Sequence, residues 1–280
     1  MTGKDSVALA ASAPASVTAM RAPRLEPDVP ELLSRARAIA EVVRARVRET
    51  EANRCIAEDV IERMRQAELF RILQPRAFGG FEYGFDVFAD LVATIGRGCG
   101  SSAWVYGLGA VHQWFAACFP REAQEEFWAD PGAIAAGSYA PAGKTVAVDG
   151  GYRTSGVWSF ASGCDNAHWY LLATMVPPVD GAEAPKPTFL LVPRADARID
   201  DNWHTMGLAG TGSKNIVADD LFVPAHRTLA SRTSPPAPAR GRASTPIRSI
   251  ASRFFRWCRS RSSRRCSAWR RARLPISSTW

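Results

Sequence analysis

The sequence predicts an α+β chain, a block of helices followed by a block of antiparallel strands. Three observations carry this. Apolar residues recur at helical spacing from residue 28 to about residue 130. From about residue 133 the period changes to two, with turn residues between short apolar runs. Helical and strand patterns do not alternate, which argues against βαβ winding. The resulting division is an N-terminal tail over 1–27, a helical domain over 28–132, a β-domain over 133–228 and an Arg/Ser/Pro-rich tail over 229–280.

Met1–Ala22 is rich in Ala, Ser and Thr, and Pro14 interrupts its weak apolar stretch. It reads as a disordered tail rather than a cleaved signal. Asp28 can cap a helix, and Pro30 fits a first helical turn, where no N–H is needed. Leu32, Leu33, Ala36, Ile39, Ala40, Val43 and Val47 then fall at helical spacing. A shorter helix follows around Ala57–Glu68, and Gly79-Gly80 breaks the pattern. Further helices are expected over Asp86–Ile95, Ser101–Ala117 and Arg121–Trp128. The strands are Thr145–Val148, Tyr152–Trp158, Trp169–Met175 and Thr188–Val192, with weaker cases at Ile199–Trp203 and Asn215–Phe222. The Asp149-Gly150 pair is a tight turn between the first two, and Val223-Pro224 closes the block.

Charge is unevenly placed. Up to Asp220 there are 21 Lys+Arg against 27 Asp+Glu, a balance of −6; from Leu221 onward there are 14 Arg and no acid. The body is mildly acidic and the net +8 belongs to the tail. No apolar run approaches the roughly 20 residues of a membrane span. The cysteines, at 55, 99, 118, 164, 258 and 266, form no Cys-x-x-Cys pair. That argues against a zinc site and a disulfide framework, and for a reducing, cytoplasmic compartment. The four histidines, at 112, 168, 204 and 226, show no metal-ligand spacing on a helix, so no metal is expected.

The most informative stretch is Gly150–Cys164. It climbs a strand into a small-residue cluster around Trp158, Ser159, Ala161, Ser162 and Gly163. An indole beside hydroxyls and bare backbone suits a planar heteroaromatic ring; an ordinary hairpin with an interior Trp is the competing reading. Gly210-Thr-Gly-Ser-Lys214 gathers backbone N–H groups and two hydroxyls in one turn, able to cradle an anion or a ring edge, or simply to precede a strand. His112 lies in an apolar helix, either as a core histidine or as a base at a pocket wall. Gly96-Arg-Gly-Cys-Gly100 follows a helical pattern, not a strand, so it reads as a helix-to-helix turn rather than a phosphate loop. No Gly-x-Ser-x-Gly elbow is present.

Together these segments resemble the acyl-CoA dehydrogenase superfamily, and within it the oxygenase components of two-component flavin-dependent aromatic monooxygenases of the 4-hydroxyphenylacetate hydroxylase type. The resemblance covers roughly residues 30–230. It rests on Phe78-Gly-Gly80, Ser102-Ala-Trp-Val105, the His112 segment, Ser138-Tyr-Ala-Pro141, the Gly150–Gly163 stretch, Gly207-Leu-Ala-Gly-Thr-Gly-Ser-Lys214 and Phe222-Val-Pro224. It implies hydroxylation of an aromatic or phenolic substrate with O2 and reduced FMN or FAD from a separate flavin reductase. By position it assigns Trp158, Ser162, Thr211, Gly212 and Ser213 to the flavin. It assigns Ser138 and Trp104 to the substrate and makes His112 the catalytic base near the substrate phenol. His112→Ala would then cut hydroxylation while leaving stability within about 1 kcal/mol. Related dehydrogenases carry an acidic stretch where this chain has Gly137-Ser-Tyr-Ala-Pro-Ala-Gly143, which favours the oxygenase reading.

The resemblance also implies a C-terminal four-helix bundle and a homotetramer. Where the bundle should begin, the chain turns Arg-rich, as in Arg253-Phe-Phe-Arg-Trp-Cys-Arg-Ser-Arg. The expectation is a bundle lost to a frameshift and replaced by a disordered basic tail. Reading the codons of Ser244–Arg253 one base earlier permits His-Ala-Asn-Pro-Leu-Tyr-Arg-Ile-Pro, a kind of segment family members carry past the β-domain. Such a truncated chain is expected to be inactive and to lose flavin. Two rival functions stay open, an acyl-CoA dehydrogenase-like flavin oxidoreductase and a nucleic-acid-binding protein acting through the basic tail.

Overall fold

The computed structural model describes residues 26–176 and 185–230. The expectations for Met1–Ala22 and for the chain beyond residue 230 lie outside the described residues. Glu26 and Pro27, assigned to the tail by sequence, are tied to the helical region. Glu26 pairs with Arg76, and Tyr83 donates its hydroxyl to the Pro27 carbonyl at 2.8 Å.

Among the described residues six α-helices come first: α1 (Val29–Ala45), α2 (Val47–Asn53), α3 (Glu58–Gln66), α4 (Phe85–Gly96), α5 (Gly100–Ala116) and α6 (Arg121–Phe127). Asp28 caps α1 as expected, accepting from the Glu31 amide at 2.8 Å. The first predicted helix is split at Arg46, whose backbone leaves the helical region and whose guanidinium bridges Glu49 and Asp59. The apolar stripes of α1, α3, α4 and α5 meet in one core around Leu32, Ile39, Ile61, Met64, Leu91 and Tyr106.

The glycine-rich turn before α5 joins two helices, not a strand and a helix. Gly98 sits against α1 so closely that a Cβ there would lie 2.1 Å from the Ala40 carbonyl oxygen. The glycine serves helix packing.

Among the described residues eight strands follow: β1 (Ala135–Ser138), β2 (Lys144–Val148), β3 (Gly151–Ala161), β4 (Trp169–Val176), β5 (Lys186–Pro193), β6 (Arg198–Asp200), β7 (Lys214–Pro224) and β8 (Thr228–Ala230). They form two four-stranded sheets, ordered β1-β4-β5-β8 and β2-β3-β7-β6. The expectation of an antiparallel domain needs one correction: β1 runs parallel to β4, pairing Ala135 with Trp169. Every other pairing is antiparallel. β1 escaped the sequence reading because its four residues, Ala-Ala-Gly-Ser, are all buried and have no alternation. β8 is only three residues long and forms the far edge of the first sheet, reaching Ala230, two residues past the expected boundary.

The first sheet is covered on both faces. Tyr170, Leu172, Leu190 and Val192 face the second sheet and pack with Trp158 and Ile216. Leu171 and Leu191 face the helices and pack with Phe119, Phe127 and Trp128. Burial on both faces explains why β4 and β5 read as continuous apolar runs.

Candidate active site

A cleft of about 260 Å³ opens where α5 meets the β-domain. Trp104 and Leu108 come from α5, and Gly137 and Tyr139 from β1 and the residue after it. Phe160 and Ser162 come from the end of β3, and Trp203, Leu208, Thr211 and Ser213 from the segment before β7. The walls are mostly rings and aliphatic carbons, with hydroxyls at one edge, a composition suited to a planar heterocycle.

The polar edge is one continuous line. The Trp104 indole N–H donates to Ser162 Oγ at 3.0 Å. Ser162 and Ser213 are hydroxyl to hydroxyl at 2.7 Å, and Ser213 and Thr211 at 2.6 Å. Thr211 donates to the Leu208 carbonyl at 2.9 Å. The sequence placed all four of these side chains at the site, and the structure brings them together. Gly212 contributes no wall; its φ of +52° reverses the chain between Thr211 and Ser213.

The turn carrying Thr211–Ser213 is anchored from several sides. The Gly163 amide donates to the Thr211 carbonyl at 2.8 Å, fixing the end of β3 against it. Gly210 lies against Thr50 of α2, where a Cβ would meet the Thr50 side chain at 2.4 Å. Lys214 Nζ is buried and sits 2.9 Å from Asp165 and 3.2 Å from Asp201. Arg54 also holds Asp201, at 2.8 Å through its second guanidinium nitrogen. Hydrogen bonds from Arg54, then Lys214, pull the Asp201 carboxyl down to about 2. A carboxyl with a depressed folded pKa stabilises above its unfolded value, about 4. That contribution is lost as pH falls through the folded value. Acid titration of the melting temperature should therefore be flatter between pH 4 and 2 for Asp201→Asn than for the parent chain; parallel curves would show that the clasp adds nothing.

Besides Gly212, three expected site residues do not reach the cleft. Trp158, assigned to the flavin, is fully buried between the two sheets, and its N–H donates to the Ala173 carbonyl at 2.7 Å. The ring that faces the cleft is Phe160, two residues on. A register shift between Trp158 and Ala161 and a left-handed φ of +63° at Phe160 turn that side chain outward, edge-on to Trp203. Ser138, assigned to the substrate, is also buried and donates to the Ser159 carbonyl at 2.8 Å, tying β1 to β3. Its neighbour Tyr139 lines the cleft, since successive residues of an extended chain face opposite ways.

His112 is the third. It is fully buried in α5, with Nδ1 2.5 Å from the Ala135 carbonyl and Nε2 2.5 Å from the Tyr139 hydroxyl. A carbonyl accepts only, so Nδ1 carries the proton. Burial pushes the imidazole down to about 4, so at neutral pH it is uncharged and Nε2 is a bare acceptor for Tyr139. His112 thus meets the cleft only through Tyr139, whose phenol burial pushes upward. The expectation that His112 stands apart from the core is corrected: it holds β1 to α5.

Outside the cleft, the structure gathers Glu122, Glu126 and His226, a grouping that no spacing in the sequence announced. Glu126 accepts from His226 at 2.9 Å and pairs with Arg227 at 2.5 Å, so the group clasps α6 to the turn after β7. Among the described residues, no helix is long and apolar enough to cross a membrane.

No family model matches the chain. It is 45% identical over 199 residues to the oxygenase component of the FADH(2)-dependent resorcinol hydroxylase of Rhizobium sp. (strain MTP-10005), covering 71% of this chain and 48% of that one. It is 41% identical over 199 residues to the flavin-dependent monooxygenase oxygenase subunit HsaA of Rhodococcus jostii (strain RHA1), covering 71% and 52%. The solved 3-HSA hydroxylase from Rhodococcus sp. RHA1 superposes with a TM-score of 0.69 at 40% identity, over 72% of this chain and 53% of that one. The chain spans about half the length of the curated relatives it matches.

Proposed function

We propose that this chain, which belongs to the oxygenase components of two-component flavin-dependent monooxygenases, uses the cleft beside α5 to set reduced flavin against a phenolic or other aromatic substrate. The observation that carries the reading is the cleft itself: exposed faces of Trp104, Phe160 and Trp203 beside the hydroxyl line of Ser162, Ser213 and Thr211. That donor set fits a flat ring with apolar faces and a polar edge. Bound there, reduced FMN or FAD supplies the electrons that let one oxygen atom of O2 enter an aromatic ring. A separate reductase delivers the reduced flavin, the working assembly is a homotetramer, and the compartment is the cytoplasm.

The chain's own part is to orient the substrate and draw on its proton. Tyr139 spends its O–H on His112 Nε2, so its oxygen is left to accept from a substrate hydroxyl. A phenol donating into that two-member line gains electron density on its ring. With His112 held near 4, full transfer to the imidazole is uphill, so the line polarises the phenol without ionising it. Tyr139 is therefore the residue that touches substrate, and His112 acts behind it.

The test is anaerobic titration of the 280-residue chain with reduced FMN and FAD, followed by oxygenation with resorcinol as the first phenol tried. Saturable binding and a hydroxylated product are expected, against the inactive, flavin-losing chain that a lost bundle implies, because the residues lining the cleft all lie within the described part of the chain. Binding should appear in titration rather than as flavin carried through purification, because the described cleft is open. Tyr139→Phe should cut product formation about 10²-fold, within the usual range for losing one acid–base group. Adding His112→Asn to it should cost little more, as for groups acting in one line. Binding of neither reduced flavin overturns the reading.

A further inference from the structure

A second cavity, of about 80 Å³, shares no residue with the cleft. Arg65 of α3 lines it, with Glu68, Arg71 and Gln74 from the turns that follow. Gln113 of α5 and the segment 131–133, which leads into β1, complete the wall. The volume is several times what a single water needs. Gln74 and Gln113 are buried, and each donates from its amide to a backbone carbonyl, Phe78 and Ala133 respectively, both at 2.7 Å. The wall is therefore held in shape without any ligand.

One group in it is out of balance. The Arg65 guanidinium places one terminal nitrogen 3.1 Å from His168 Nε2. The other faces Glu62 at 3.6 Å and Glu58 at 3.8 Å. Its Nε–H is buried and, among the described residues, has no acceptor. Leaving a donor of a charged group buried and unpaired costs its full desolvation, more than an ordinary hydrogen bond returns. Such a group calls for an acceptor that the protein does not itself supply.

The charges say what kind of acceptor. Two guanidiniums, Arg65 and Arg71, line the cavity with one carboxylate, Glu68. Glu68 is already engaged by Arg35, which does not line the cavity, at 2.9 Å, and by Arg71 at 3.8 Å. Glu58 and Glu62 are exposed, where an ion pair with Arg65 is worth little. The balance inside the cavity is positive. We infer that it is a binding site for a small oxyanion of phosphate or carboxylate type. Arg65 Nε–H donates to one oxygen, and Arg71 supplies the second positive charge. The cavity is too small for a nucleotide or a flavin. The bound anion would tie the end of α3 to the segment entering β1. This site is separate from the cleft and does not rest on the flavin reading.

Gly132 offers a way to block the site without removing a charge. Its backbone is not left-handed, and a Cβ there would stand 3.8 Å from Arg65 Cδ and 3.9 Å from Arg65 Nε. That is ordinary contact, so Gly132→Ala fits the fold while narrowing the cavity beside the unpaired nitrogen. Arg65→Gln removes the donor and the charge. Arg153→Gln is the control: Arg153 is an exposed arginine on β3 that pairs with Asp220.

The experiment compares melting temperatures of the 280-residue chain and these variants in inorganic phosphate and in chloride, at one pH and equal ionic strength, with an acetate series alongside. Phosphate stabilises most proteins by exclusion from their surface, and the Arg-rich stretch beyond residue 230 also attracts anions. Both effects are common to the parent and the cavity variants, so the site is read from the difference between them. The parent should gain about 2–4 °C more than Arg65→Gln, as for a ligand about tenfold above its dissociation constant. Gly132→Ala should lose at least half of that excess, and Arg153→Gln should keep all of it. An excess in phosphate alone identifies a tetrahedral anion, and one in acetate a carboxylate; either supports the site. Should Arg65→Gln fail to fold, Gly132→Ala carries the test. Equal gains in the parent and the cavity variants overturn the inference, as does an excess that Arg153→Gln loses as well.

Discussion

His112→Ala should lower the unfolding free energy by about 3 kcal/mol, the range for a large buried side chain whose loss also strands a polar partner. The imidazole is fully buried and donates to the Ala135 carbonyl, which has no solvent to turn to once the ring is gone. Thermal or urea unfolding measures it directly. Tyr139→Phe, by contrast, keeps its ring against Phe115 and Phe189 and should cost only about 1 kcal/mol, the usual net worth of one hydrogen bond. If His112→Ala instead melts with the parent chain, the histidine is not holding β1 to α5.

Gly98→Ala should be as damaging. Its new methyl would stand 2.1 Å from the Ala40 carbonyl oxygen and 2.8 Å from a Val43 methyl. The first of these is backbone within α1, so it cannot swing aside, and α1 and α4 would have to separate. A loss of about 3 kcal/mol is expected, at the upper end for overpacking a core. Gly100→Ala, two residues on, meets only a Leu208 methyl at 3.5 Å and should be tolerated. Equal melting temperatures for the two variants would contradict the close approach of the turn to α1.

The helical block was legible because its stripes are amphipathic, and β4 and β5 because their apolar runs are long. β1 was not legible, since four small buried residues carry no period. Within the site, Ser162, Thr211 and Ser213 could be found because hydroxyls clustered among glycines are a local signal. Trp158 misled because an indole beside hydroxyls is a local signal that does not tell which face of the strand it takes; the left-handed turn at Phe160 puts the outward ring two places along the chain. Ser138 misled by a single residue, since nothing local says which of two neighbours faces a cleft made by distant segments. Tyr139, Phe160, Trp203 and Leu208 were missed for that reason. His112 stands out in the sequence as a polar residue in an apolar helix, but a sequence does not show that Tyr139 stands between it and the opening.

The alternation of Leu171 with Leu172, and of Leu190 with Leu191, reaches beyond the cleft. Each pair sends one side chain into the sandwich and the other into the helices. At the pattern change near residue 132 the two halves therefore share a buried layer, beside a core of their own in each. Neither half can be excised without baring leucines that its partner keeps dry. A cleft whose walls come from both halves thus depends on that shared layer of leucines and aromatic rings as well as on the residues that line it.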